Sequence, residues 1–387
     1  MKNFIYESKT KVIFGKNQIA SLRDELVTRD VKSMLLVYGK VAIKKLGIYD
    51  EIVAITSELG IKLFEESGVQ PNPDVSSVRS GIETCRNNEI DFVLAAGGGS
   101  VVDCAKSIAF GVFYEGNVWD VYLRKGDSQK SLPIGVIITL AATGSETNGN
   151  SVISNDETNE KRAIAYSHSV PQFAIIDPEY TLHVNHHHTI AGSIDIIMHI
   201  LEQFFSNTEN TDTSDYMSIG VMKSVIKNTN KIVNGVDNYD IRSNISWAST
   251  LGLNWILGID KVGDWATHRL SYVLTKEYGI THGYALAMIY TSWAKVALKY
   301  NPETMGRRLD ILGEGLFDGA KGIDVLNALD NLFTSWGASV RMKNELTLNN
   351  EQITDMVDNA LALGNVGTIT IIDKEKAFEI FSIANEV

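Results

Sequence analysis

What is scarce in this chain limits it first. Only two cysteines occur among 387 residues, Cys85 and Cys104, both in helix-like contexts, so no disulfide framework braces the fold and buried free thiols are expected. Basic residues are outnumbered, 35 Lys and Arg against 47 Asp and Glu, a formal charge of −12, and no Lys/Arg-rich tract is present. That balance argues against nucleic acid and anionic membrane as partners. No apolar run reaches the ~18 residues that a membrane helix requires. The opening stretch Met1 to Lys9 has no apolar core of signal-peptide length, and a cytoplasmic protein is expected. Repeats of fixed period and low-complexity segments are lacking too. With 44% hydrophobic residues the chain must fold by ordinary burial, and its length favours two domains over one core.

Up to about residue 180 the pattern alternates β-branched apolar runs with helical periodicity. Ser33 to Tyr38, Asp91 to Ala96, Ile134 to Thr139 and Gln172 to Ile176 read as strands apolar on both faces, as a parallel sheet covered by helices requires. Helices are predicted near Tyr49 to Gly60 and, after the Pro71-Asn72-Pro73 turn, up to about Asn88. Beyond His183 long amphipathic segments follow one another, at 215–228, 243–257, 263–277, 286–300 and 324–336, and strand-like runs become rare. The predicted architecture is an α/β nucleotide-binding domain over 1–182 and an all-α domain over 183–387. Three consecutive histidines, His186 to His188, fall at this junction and read as a solvated connection, with incidental metal affinity as the alternative.

The helical half contains one pattern with chemical content. Inside the apolar-periodic run Ala191 to Phe205, Asp195 and His199 stand at i and i+4, so a helix projects both from one face, one turn apart, where a pair can share a metal. Glu202 follows on the same side, placed to orient His199 from behind. Later, His268 in Asp264-Trp-Ala-Thr-His268 and His282 in Thr281-His282-Gly283 flank a helix break at Gly279. One carboxylate and three imidazoles suit Zn²⁺ or Fe²⁺ and leave a position for substrate. Spacing alone does not bring the two pairs together, and a lone histidine on an apolar helix is more often a core residue.

In the α/β half, Leu94-Ala-Ala-Gly97-Gly98-Gly99-Ser100 ends a strand, turns sharply and opens a helix carrying Asp103 and Lys106. Glycines let the backbone approach a phosphate, and the helix start offers free N–H groups and the positive end of its dipole, together a pyrophosphate cradle. The spacing is not G-x-G-x-x-G, and tight turns also use glycine runs. A second loop, Thr139-Leu-Ala-Ala-Thr143-Gly144-Ser145-Glu146, leaves another strand with hydroxyl-bearing residues, although an ordinary polar helix cap looks similar. Two such loops at neighbouring strand ends outline a ligand crevice.

These residues, with Thr10-Lys-Val-Ile-Phe-Gly15 at a first hairpin, Pro71-Asn-Pro73, Ala142-Thr-Gly-Ser-Glu146, Asp177-Pro178 and Gly192, occur in an order that resembles the iron-dependent alcohol dehydrogenases nearly end to end. Within that family the sequence is similar to the NADPH-linked butanol dehydrogenases and aldehyde reductases. The resemblance implies a dehydroquinate-synthase-like fold with the active site in the cleft between its domains, and a homodimer. It also implies a metal-dependent oxidoreductase passing hydride between NADP(H) and a primary alcohol or aldehyde. It implies Asp195, His199, His268 and His282 as ligands of one divalent ion, Fe²⁺ or Zn²⁺. Gly98, Gly99 and Ser100 match the diphosphate loop, Asp103 lies toward the nicotinamide, and Asn72, Thr139, Thr143, Asn150, Lys161 and Leu182 correspond to further cofactor contacts.

Two positions depart from the family pattern. Where relatives carry a second histidine one turn after the ligand matching His268, this chain has Tyr272. A phenol, with an unperturbed pKa of ~10, is a poorer proton relay near neutrality, and packing is an equal reading for it. After the first long strand the chain reads Gly39-Lys40-Val41-Ala42, with no acid to repel a 2′-phosphate and Lys40 able to pair with one, so NADP(H) is expected and NAD(H) is the alternative. Trp255, Trp265, Phe173 and Tyr272 are expected beside an apolar substrate pocket. Two other classes stay open. One is a non-redox lyase using a metal and a dinucleotide on the same architecture, which would need a basic pocket. The other is a nucleotide sensor whose metal is structural.

Overall fold

The structure, a computed structural model, describes residues 1–386. It comprises two compact units, one formed by Glu7–Asn185 with Asn238–Thr250, the other by Met1–Tyr6, His186–Asp237 and the chain from Leu251 onward.

The first unit holds strands β1 (Lys11–Phe14), β2 (Ser33–Tyr38), β3 (Lys62–Glu66), β4 (Phe92–Gly97), β5 (Ile134–Ile138), β6 (Asn150–Asn155), β7 (Glu160–Ala165) and β8 (Phe173–Ile176). Six of them form a sheet in the order β1-β8-β5-β4-β2-β3, every pairing parallel, and β6 and β7 form a separate antiparallel ribbon. The interior strands β2, β4, β5 and β8 are buried along their whole length, which is why their sequences are apolar without alternation. Thr10 to Gly15 is not a hairpin. Its strand β1 lies at one edge of the sheet, parallel to β8 with Lys11 opposite Phe173.

Helices α1 (Leu22–Thr28), α2 (Ala42–Lys45) and α3 (Ile48–Leu59) pack on one face, over Met34, Leu36, Leu94 and Ile137. On the other face α4 (Val75–Asn87), α5 (Gly99–Gly111) and α6 (Val118–Tyr122) cover Leu35, Val37, Val93 and Val136. The chain therefore leaves β2 toward one face and β4 toward the other, although the two strands are neighbours. Loops that diverge from adjacent strands leave a crevice at the strands' carboxyl ends. Phe173, expected beside a substrate pocket, is instead sheet core, fully buried and stacked on Phe92 at 6.0 Å between ring centres.

The second unit is helical: α7 (His186–Phe204), α8 (Asp212–Val233), the end of α9 (Tyr239–Leu253), α10 (Ala266–Glu277), α11 (His282–Tyr300), α12 (Pro302–Leu316), α13 (Ile323–Ser335), α14 (Asn350–Ala360) and α15 (Lys374–Ala384). Helix α7 is its axis, buried at every residue from Thr189 to Phe204 and packed on α8 and α11. A helix apolar all round belongs in a core, so the ionisable side chains Asp195, His199 and Glu202 on it are the exceptions that need partners. His186 to His188 are no connection; they form the exposed first turn of α7. No helix among the described residues is long and apolar enough to cross a membrane.

Candidate functional site

Within the helical unit, α7, α10 and α11 converge on one carboxylate. Asp195 Oδ1 lies 3.7 Å from the Nε2 atoms of His199, His268 and His282 alike. Donor atoms of Asp195, His268 and His282 all fall within 4.8 Å of one another. Ligands bound at ~2.0–2.2 Å to one tetrahedral ion stand roughly 3.3–3.6 Å apart, close to the separation observed. Asp195 Oδ1 and His268 Nε2 are buried and make no hydrogen bond within the protein. Buried polar atoms left in that state call for a partner, and this donor set fits a divalent ion.

The approach of the helices is fixed by backbone. A Cβ on Gly283 would come within 2.0 Å of the Ala191 carbonyl oxygen, so α11 begins against α7 with no space for a side chain. That contact delivers His282 to Asp195. His282 is also the open side of the cluster, its side chain 26% exposed against 5–7% for the other three.

Charge at the cluster runs in opposite directions at its members. Burial pushes the Asp195 carboxyl up, but the three facing histidines, His199 foremost, outweigh it and hold the group below the usual carboxylate range. Burial pulls the His199 imidazole down to about 4, leaving it neutral. For His268 burial also lowers the value, yet the facing carboxylates of Asp195 and Glu202 prevail and raise it to about 9. Two buried carboxylates thus demand positive charge at this point, which a divalent cation meets.

Glu202 supports His268 rather than His199: its Oε1 accepts the His268 backbone N–H at 2.9 Å and lies 3.3 Å from Nδ1 of that ring. Asp264, to which the sequence assigned nothing, accepts from the backbone N–H groups of Ala266 (3.1 Å), Thr368 (2.7 Å) and Ile369 (2.9 Å). It pins the segment before α10, where Trp265 takes a left-handed backbone at φ 63°. The only sequence signal for it was an Asp two residues before a helix start, a common side-chain cap. The Trp265 ring lies 5.5 Å from that of His268 and Tyr272 lies 6.1 Å from His282, so two of the four expected aromatics line the cluster, while Trp255 packs behind Trp265 at 5.8 Å.

In the α/β unit the expected cofactor residues gather at the carboxyl ends of the strands. Gly98 caps α5 with no side-chain oxygen, which leaves the helix start open to an anion. A Cβ on Gly99 would meet Thr143 Oγ1 at 2.4 Å, so the two loops interlock with no spare volume. Thr139 donates its N–H to the carbonyl of Gly97 at 2.9 Å, and Lys161 Nζ donates to Asn72 Oδ1 at 2.7 Å. Asp103 accepts from Ser145 Oγ at 2.7 Å and from the Val152 N–H at 3.1 Å, and burial raises its carboxyl. Asn150 opens β6 beside them, with its N–H on Asn148 Oδ1 at 2.9 Å. Across the crevice, Gly39 accepts from the Gly68 N–H at 3.2 Å and Lys40 follows it, exposed. Leu182 stands on the turn Pro178–His183 beyond β8, the neighbour of β5.

Comparison with known proteins agrees with both halves. The family model for "iron-containing alcohol dehydrogenase" matches residues 9–178, and that for the "Fe-containing alcohol dehydrogenase family, C-terminal" matches 189–384. The chain is 39% identical over 387 residues to the probable NADH-dependent butanol dehydrogenase 2 of Bacillus subtilis, covering 98% of this chain and 99% of the relative. To the NADPH-dependent aldehyde reductase YqhD of Escherichia coli it is 34% identical over 292 residues, 75% of this chain and 74% of that one. The crystal structure of NADH-dependent butanol dehydrogenase A from Thermotoga maritima superposes with a TM-score of 0.94 at 32% identity, covering 100% of this chain and 99% of the other. This chain belongs to the iron-containing alcohol dehydrogenase family.

Proposed function

We propose that this protein is a metal-dependent oxidoreductase that passes hydride between a nicotinamide dinucleotide and a primary alcohol or aldehyde. The observation that carries the reading is the cluster itself, one buried carboxylate oxygen equidistant from three imidazole nitrogens and otherwise unpartnered. Asp195, His199, His268 and His282 would hold one divalent ion, Fe²⁺ or Zn²⁺. When bound, the ion supplies Lewis-acid polarisation and the nicotinamide supplies or accepts the hydride. The protein's own part is positional. Glu202 holds the His268 ring, Asp264 sets the start of α10, and His282 leaves the exposed side for a substrate oxygen. Tyr272 beside His282 and Trp265 beside His268, backed by Trp255, would give the cluster an apolar rim suited to uncharged aldehydes.

Gly97 to Ser100 would take the diphosphate at the start of α5, with Thr139, Thr143, Asn150, Lys161 and Asn72 around it and Asp103 toward the nicotinamide. Lys40, exposed beyond Gly39 with no acid beside it in sequence, suits a 2′-phosphate and favours NADP(H). A second reading, NAD(H), is favoured by the Bacillus and Thermotoga relatives, both named NADH-dependent. Assembly as a cytoplasmic homodimer belongs to the same proposal and is read by light scattering at twice the chain mass.

The test is butyraldehyde reduction followed by NADPH and NADH absorbance, on chelator-stripped protein and after separate addition of Fe²⁺ or Zn²⁺, beside Asp195→Ala. Turnover is expected only with metal, and not in the variant. Silence with every metal, on folded protein that still binds dinucleotide, would overturn the redox reading. The kcat/KM ratio for the two nucleotides decides between them.

A further inference from the structure

Lys106 is fully buried inside the α/β unit, two turns along α5 from the open helix start at Gly98. Its ammonium donates no hydrogen bond to the Gly97–Ser100 loop that opens its own helix. All its partners lie on the second loop: the Ser145 carbonyl (2.6 Å), Ser145 Oγ (2.7 Å), the Asn150 carbonyl (2.8 Å) and, more distantly, Asn148 Oδ1 (3.4 Å). Ser145 Oγ spends its own hydrogen on Asp103 Oδ1 at 2.7 Å, so toward Lys106 it can only accept. Every contact to Nζ is therefore an acceptor, the arrangement of a charged ammonium giving its three hydrogens to one loop. Burying a cation is costly, and a chain that needed only packing here would use an apolar residue.

We infer that Lys106 is a positioning residue of the dinucleotide cradle, holding the loop from Thr143 to Asn150 in register with the start of α5 so that both present their groups to one cofactor. The inference rests on the nicotinamide reading above. Gly99 and Thr143 already touch with no space for a Cβ, so a slip of a few tenths of an ångström between the loops would close or open the cradle. Asp103, on the same helix as Lys106, is tied to the same loop through Ser145.

The charged groups facing Lys106 are Asp103 on α5 and Glu146 on the loop, with Lys161 of β7 beside Asp103. Burial pulls the ammonium down to about 8 against the support of the two carboxylates. Discharge of the ammonium should therefore loosen the loop above that pH.

The experiment compares full-length wild type, Lys106→Met, which keeps shape and loses the charge, and Ser145→Ala, which removes one acceptor and the Asp103 bridge. Backbone hydrogen exchange across 143–152 and Kd values for NADH and NADPH by calorimetry are measured from pH 7 to 9.5. Lys106→Met is expected to exchange at least roughly tenfold faster in that segment and to bind dinucleotide roughly tenfold more weakly, as the loop loses its charged anchor. Exchange in α7 should be unchanged. Wild type should lose affinity above pH ~8, and the variant should show no such step. Wild-type protection and flat, unchanged affinities in the variants would overturn the inference, and Ser145→Ala decides it if Lys106→Met does not fold. Wild type that binds neither dinucleotide refutes the nicotinamide reading instead, and the exchange rates alone then decide whether Lys106 holds the loop.

Discussion

Glu202 grips His268 at two points, its Oε1 accepting the backbone N–H at 2.9 Å and lying 3.3 Å from the ring Nδ1. That approach is an electrostatic contact and not a hydrogen bond, but it sets a carboxylate beside Nδ1 and leaves Nε2 facing Asp195, the ring orientation that a metal needs. Glu202→Ala should keep the fold and lower metal affinity roughly 10- to 100-fold, measured by chelator competition. Affinity within about twofold of wild type would show that the carboxylate is not what orients the ring.

The crossing of α7 and α11 is set by the absence of a side chain. Gly283→Ala would put a Cβ 2.0 Å from the Ala191 carbonyl, backbone against backbone, with no flexible group to yield. Overpacking of this kind typically costs about 1–3 kcal/mol, and here it would also move His282 off Asp195. Both a lower Tm and weaker Zn²⁺ binding by calorimetry are expected. A variant with reduced Tm and unchanged metal affinity would mean that the helices part without disturbing the cluster.

How far this was readable from sequence follows from burial. Strands β2, β4, β5 and β8 announce themselves because both faces are covered. The edge strand β3, Lys-Leu-Phe-Glu-Glu, and the ribbon of β6 and β7 mix polar and apolar residues and carry no such signal. Asp195 and His199 declare themselves by i and i+4 spacing on an apolar helix. That His268 and His282 join them depends on how α10 and α11 pack, which no local pattern contains and only the family resemblance suggested. Sequence proximity pairs Glu202 with His199, yet the start of α10 comes closer in space. The exchange of Met1–Tyr6 and Asn238–Thr250 between units is likewise a matter of tertiary packing.

Asp264 makes a pH-dependent contribution with a definite sign. Burial, with the charge of Glu202, raises its carboxyl from an ordinary 3.8 to about 7 despite three backbone donors. The unfolded chain therefore releases this proton at lower pH than the folded one. Between about pH 4 and 7 the folded state holds the extra proton, so this group's contribution to stability falls as pH rises. Asp264→Asn cannot ionise. Whatever its fixed cost in lost acceptors, its stability relative to wild type should improve by a few kcal/mol across that window, at 1.36 kcal/mol per pH unit. Denaturant titrations of metal-loaded protein at pH 4.5, 5.5 and 7 read the trend, and a pH-independent difference would refute it.

Tyr272 occupies the position where the family resemblance leads one to expect a second histidine, and the geometry favours a wall over a relay. Its ring lies 6.1 Å from that of His282, tilted at 40°, half-buried on α10. Its ring area contributes to an apolar rim whether or not the hydroxyl is present. Tyr272→Phe should thus retain full metal content and a kcat within about threefold of wild type. Tyr272→Ala should raise KM for butyraldehyde by roughly tenfold, because about 1–2 kcal/mol of apolar contact is lost. The two variants separate the roles: a phenylalanine enzyme whose kcat falls a hundredfold while KM holds would place the hydroxyl in the proton path and remove the packing account.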